Sequence, residues 1–171
     1  MHDESCELCG TARETKLREK GRRVEMLTDI QRDGYHKVGV FSEVEGEPEF
    51  SYTVGLFHVQ KHPELVIFGL GIDTEFAILQ TALELVANGA RFAHGDVSSE
   101  MLSGHSVVFL EFSRAEYDEY LGQAENFYKS DDFPVLMLTW PDRDGMYPWS
   151  DGAADWLRQR QPALWSSAPS A

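Results

Sequence analysis

The chain changes its hydrophobic period several times, and each change marks an element. From Thr11 to Arg32, Leu17, Val24, Leu27 and Ile30 recur at near-helical spacing between charged residues. That pattern predicts a helix, weakened by Gly21 and ended by Asp33-Gly34. Tyr35–Val44 (YHKVGVFSEV) has the β-branched and aromatic content of a strand, and the acidic EVEGEPE reads as a turn. Phe50–Phe57 and Glu64–Leu70 are the next two expected strands. If they pair antiparallel, residues 58–63 (HVQKHP) are the loop between them.

Helical spacing returns with Ile72, Phe76, Leu79, Leu83 and Val86 on one face, Asp73 as the expected N-cap and Asn88-Gly89 as the stop. Residues 90–104 read as a long, partly ordered connection, and His105–Phe112 as a strand. Ser113-Arg-Ala-Glu116 fits the capping box, in which serine and glutamate satisfy each other's backbone donors. It opens an expected helix with Tyr117, Tyr120, Leu121, Ala124, Phe127 and Tyr128 on one side, an aromatic stripe suited to a core. A strand at Phe133–Trp140, the turn PDRDG and a short helix near Asp151–Arg160 follow. The order α-β-β-β-α-β-α-β-α predicts an α+β fold. Its sheet is expected to be mainly antiparallel, of about five strands, with helices packed against it. Three parts are expected: a flexible or metal-binding tail over 1–10, one domain over 11–165, and a disordered end over 166–171.

Composition changes this picture in two ways. The 171 residues are 42% hydrophobic, enough for one substantial core. No apolar run approaches the ~20 residues of a membrane span, and MHDESCELCG lacks the apolar segment of a secretory signal, so a cytoplasmic protein without membrane contact is expected. The net charge of −14 is also uneven. Residues 1–37 hold 8 basic and 8 acidic side chains, leaving 7 basic and 21 acidic in 38–171. Such a body repels phosphate backbones, which argues against nucleic acid as a partner. Arg18, Lys20, Arg22 and Arg23 cluster in the first helix, where a solvated charged face is the plain reading.

Candidate chemistry is sparse. Cys6-Glu-Leu-Cys9 can supply half of a tetrahedral zinc site, with His2 as a further ligand, or it can act as a redox pair. His58 and His62 are four apart, but Pro63 pushes His62 away from helical geometry, so a helical metal pair is not expected. The loop is then an ordinary connection, a metal site completed by residues such as Glu64, or a binding loop. Gly-x-Ser-x-Gly and HExxH are absent from the sequence, and Gly69-Leu-Gly71 lacks the third glycine and GK[ST] ending of phosphate loops.

Several blocks carry a resemblance: YTVGL at 52–56, HPEL at 62–65, FGL at 68–70, LTWPDRDGMYPW at 138–149 and RQRQPALW at 158–165. Together, over roughly residues 30–165, they resemble the bacterial domain-of-unknown-function family numbered 4262. The resemblance implies a compact α+β domain; the family has no settled biochemical role. Matching positions are Tyr52, Thr53, Gly55, His62, Pro63, Glu64, Trp140, Pro141, Asp142, Gly145, Pro148, Trp149, Gln161 and Pro162. The cysteines lie outside.

The resulting expectation is a module that binds a protein or small-molecule ligand, and a homo-oligomer is compatible with it. Its pocket has Tyr52, Trp140 and Trp149 as walls, with Thr53, His62, Glu64 and Asp142 as polar groups. The alternative is a small-molecule enzyme, such as a metal-dependent hydrolase, in which His62, Glu64 and Asp142 cluster. A flavin or nucleotide between Trp140 and Trp149 is a third reading. Zinc on Cys6 and Cys9 is the cofactor expected of the tail.

Overall fold

FSYTV, ELVIF and VLMLT are short, mainly apolar runs flanked by turn residues, and every residue in all three is buried. A strand covered on both faces reads as continuous apolar sequence rather than alternation. These runs are the centre of the molecule. The structure, a computed structural model, describes residues 4–169, with side chains from Thr15 onward. The elements in chain order are α1 (Glu4–Asp33), β1 (His36–Val40), β2 (Phe50–Val54), α2 (Leu56–Gln60), β3 (Glu64–Phe68), α3 (Ile72–Ala87), β4 (Val97–Leu102) and β5 (His105–Glu111). A 3-10 turn (Arg114–Glu116), α4 (Tyr117–Tyr120), α5 (Gly122–Tyr128), β6 (Val135–Thr139) and α6 (Asp155–Arg160) complete the list.

The fold is α+β. The strands form one sheet in the order β1-β2-β3-β6-β5-β4. β1–β2, β2–β3, β6–β5 and β5–β4 pair antiparallel, but β3 and β6 run parallel, with Glu64 beside Val135 and Ile67 beside Leu138. The sheet is therefore mixed and six-stranded, where about five mainly antiparallel strands were expected. β4 lies in the stretch expected as a connection; it is an edge strand, mostly exposed, and carries no apolar alternation.

Helices cover both faces. On one, Leu65, Ile67 and Leu138 meet Ile78, Leu79, Leu83 and Val86 of α3. On the other, Val66, Phe68, Val135 and Met137 meet Tyr117, Leu121 and Ala124, with Met26 and Ile30 of α1 at the side. Phe50, Phe68 and Phe112 stack through this second core at centroid distances of 4.8 and 6.3 Å.

Three local expectations are corrected. Ser113 makes no side-chain cap, and the helix it was to open is a 3-10 turn followed by two short helices, broken at Leu121. Gly71 rather than Asp73 stands at the N-cap of α3; Asp73 lies in the first turn, where its charge favours the helix dipole. Residues 58–63 are no plain hairpin loop. Gly55, at φ 93°, turns the chain into α2, and Lys61, at φ 57°, ends it.

Candidate functional site

The two ends of the β3–β6 pair differ in kind. At the amino end of β3, Glu64 is buried among donors. Its Oε2 accepts from Thr53 Oγ1 at 2.5 Å, and its Oε1 accepts from the Phe57 amide at 3.2 Å and from the Tyr128 hydroxyl. Thr53 Oγ1 in turn accepts from the Leu65 amide at 2.9 Å, and Tyr128 Oη from the His58 amide at 3.2 Å. Burial pushes the Glu64 carboxyl above its ordinary value, and the bonds from Thr53, Tyr128 and the backbone pull it part of the way back. Tyr128 is raised too, first by burial and then by the Glu64 charge.

His62, two residues earlier, is fully buried. One ring nitrogen, Nδ1, lies 2.8 Å from the Pro63 carbonyl, and Nε2 accepts from the Phe92 amide at 3.0 Å. That pairing fixes the neutral tautomer with its proton on Nδ1, and burial lowers the ring's pKa. The ring also meets Phe92 edge-on, and Phe92 stacks on Phe109 at 4.2 Å. Among the described residues no buried side-chain nitrogen or oxygen lacks a partner. This end is closed.

The carboxyl ends of β3 and β6 lie together at the opposite edge, where the chain must turn away and leaves a hollow. Glu75, buried on α3, holds the turn: its Oε1 accepts from the Leu70 amide at 3.1 Å and its Oε2 from Ser51 Oγ at 2.7 Å. Burial raises its pKa as well. Trp140 follows β6 and is fixed on three sides. Its indole donates to the Phe68 carbonyl at 2.8 Å, and Gln161 bonds its amide and carbonyl at 2.9 and 2.8 Å. Asp142 shapes the next turn, its Oδ1 accepting from the Asp144 and Met146 amides, both at 2.9 Å.

Two contiguous hollows open between these parts. One, of about 770 Å³, lies between the Trp140–Asp144 segment, His105 and α6. The other, of about 540 Å³, lies between the Gly69–Gly71 turn, Glu47, Glu49 and α6. They share Leu70, Trp156 and Arg160. Trp156 is 46% exposed. Its ring tilts against Trp140 at 6.3 Å, and the Arg160 guanidinium sits 5.5 Å from its centroid.

The expected site residues are thus divided. Thr53, His62 and Glu64 share the closed end; Trp140 and Asp142 line the open one. Asp142 lies seven residues beyond Val135, the partner of Glu64, and past the opposite end of β6. His62, Glu64 and Asp142 are not brought together around one substrate. Tyr52 is in the second core, its hydroxyl accepting from the Gln123 amide and its pKa pushed up to about 12 by burial. Trp149 stacks on Tyr147 at 4.8 Å and meets Trp165 edge-on, away from Trp140. The side chains of Cys6 and Cys9, and all of His2, lie outside the described residues. Among the described residues no group of three or more His, Cys, Asp or Glu could hold a metal ion, and no helix is long and apolar enough to cross a membrane.

Leu70, His105, Arg143, Trp156 and Arg160 were not anticipated. The one available signal was Trp156 itself: a large aromatic in a six-residue helix whose one buried residue is Leu157.

Fold and crevice define an α+β domain with a half-open, tryptophan-walled hollow at the carboxyl ends of its parallel strands. A family model, Domain of unknown function (DUF4262), matches residues 29–154, and the chain belongs to that family. The match ends before the RQRQPALW block at 158–165, which lies beyond it. No curated protein and no solved structure matches the chain.

Proposed function

We propose that the chain is a binding domain, and that its ligand is a small molecule joining a flat apolar part to a negative charge. The observation that carries this reading is the exposed Trp156 with Arg160 laid over it, shared by both hollows. A large, rigid ring left half in water offers a stacking surface at little entropic cost. Arg160 and, across the hollow, Arg143 have no ion pair among the described residues, in a chain of net charge −14. Guanidinium groups bind carboxylate and phosphate in a fixed planar geometry. Asp142 Oδ1 is engaged by its own turn.

Intrinsic tryptophan fluorescence and thermal-shift measurements on the full chain, against nucleotides, aromatic carboxylates and uncharged aromatics, test the reading. Planar anions should bind, Trp156→Ala should abolish the signal, and Arg160→Gln should weaken binding by about tenfold, the equivalent of ~1.4 kcal/mol. Equal binding of uncharged aromatics would remove the anionic part of the proposal. No binding by any of the three classes would remove all of it.

A further inference from the structure

Five cations stand close together on α1. Lys16, Arg18, Lys20, Arg22 and Arg23 stand on α1 with Glu19 the one acid among them, and among the described residues none of the five forms an ion pair. Every described residue of α1 before Met26 is exposed. Met26 and Ile30 dock the helix on the body. At 100° per residue, Leu17 and Val24 point the opposite way, and they are 59% and 55% exposed. Between α1 and α5 lies a groove of about 680 Å³, lined by Lys16, Glu19, Lys20, Arg22, Arg23 and Met26 on one side and Gln123 and Asn126 on the other. Its α1 wall carries four cations and one acid, and its α5 wall carries amides.

The β1–β2 loop has the complementary character. Phe41 and Val44 are 69% and 57% exposed, and Glu43 and Glu45, both exposed, alternate with them. Among the described residues, five of the eight large hydrophobic residues left exposed belong to α1 or to this loop. A nucleic acid or an anionic membrane would meet the same cations, but it would also face a body with 21 acidic and 7 basic side chains. An acidic segment with its own apolar groups satisfies both features, and the chain carries one.

We propose that the chain self-associates, α1 of one copy receiving the Phe41–Glu45 loop of a second copy along its cationic groove. A two-fold arrangement makes the exchange reciprocal. Charge pairing sets partner and register, and covering Phe41 and Val44 of the loop adds apolar burial to the contact.

Sedimentation velocity on the full chain tests this. The wild type should be dimeric at low salt and dissociate at high salt. Lys16→Glu/Lys20→Glu/Arg23→Glu and, separately, Glu43→Lys/Glu45→Lys should each weaken the dimer by at least about tenfold, because like charges then face each other. All five positions are exposed, so circular dichroism should be unchanged, and melting should fall only by the loss of the dimer's concentration-dependent stabilisation. An equal mixture of the two variants should recover the dimer, since each supplies the charge that the other has reversed. A wild type monomeric at low salt, a dimer that survives either reversal, or a mixture that stays monomeric would overturn the proposal. The last outcome would mean that α1 engages some other surface.

Discussion

Two Gly-Leu pairs close two neighbouring strands, and they meet opposite fates. Gly55-Leu56 follows β2 at the closed end; Gly69-Leu70 follows β3 at the open end. Both glycines have positive φ, 93° and 85°. A Cβ on Gly55 would come within 2.7 Å of the Ile30 side chain, whereas one on Gly69 would come within 2.5 Å of the Arg160 backbone oxygen. Leu56 is buried in the core; Leu70 lines the hollow. Each end also has a buried glutamate. Glu64 ties together donors from β2, α2 and α5, so its end is sealed. Glu75 serves Ser51 and one turn, and leaves Trp156 and Arg160 to solvent. The same strand is thus anchored at one end and presents a surface at the other.

The largest effect should come from breaking the anchored end. Glu64→Ala leaves the Thr53 and Tyr128 hydroxyls and the Phe57 amide without an acceptor and opens a void. A loss of about 4 kcal/mol is expected from urea unfolding. Tyr128→Phe, which removes one donor, should cost about 1–2 kcal/mol. Next comes Gly69→Ala, at about 3 kcal/mol, because the clash is with backbone and the conformation is left-handed. Gly55→Ala should cost less, since the Ile30 side chain can move. A larger loss for Gly55→Ala would show that the open end yields more readily than its geometry implies.

The pH dependence separates His62 from Glu64. The Glu64 carboxyl is raised above its ordinary 4.5 in the folded chain. From there up to its raised value the native state holds more protons than the unfolded one, so stability falls as pH rises through that window. His62 acts in reverse. Its ring is held neutral below the ordinary 6.5, so the unfolded chain takes the proton first and stability is lost as pH falls below 6.5. In denaturation series across this range, Glu64→Gln should reduce the first slope, to which the raised Glu75 also contributes, and leave the second. If Glu64→Gln leaves both slopes unchanged, the carboxyl is not the group responsible. The smallest stability effect, within ~0.5 kcal/mol, belongs to Trp156→Ala, because the ring is half in water. Its consequence should appear in ligand binding alone.

Much of the fold was legible. β2, β3 and β6 announce themselves as buried apolar runs, and α3 by its helical spacing and its Asn88-Gly89 end. β4 was not legible, because VSSEML is a mostly solvated edge with no alternation. Nor was α2, since five residues are too few to show a helical period. The parallel pairing of β3 with β6 joins segments far apart in the chain, which local periodicity does not encode. At the site, Trp140 and Asp142 stood out because an aromatic beside PDRDG marks a shaped turn. His62 and Glu64 stood out as chemistry-bearing types. Their bonds to the Pro63 carbonyl, the Phe92 amide, Thr53 and Tyr128 depend on tertiary neighbours that the HPEL motif does not name. Trp156 and Arg160 escaped because their exposure follows from which single face α6 buries.

The parallel pair also bears on how the chain is made. While β3 leaves the ribosome, its antiparallel neighbour β2 is already present, but its other neighbour is encoded beyond α3, the β4–β5 hairpin and two further helices. Until Thr139 has emerged, a strand that is fully buried in the native fold keeps one flank unpaired, and closing so long a loop is slow. Nascent chains stalled between β5 and β6 are therefore the ones in which chaperone capture and aggregation should concentrate.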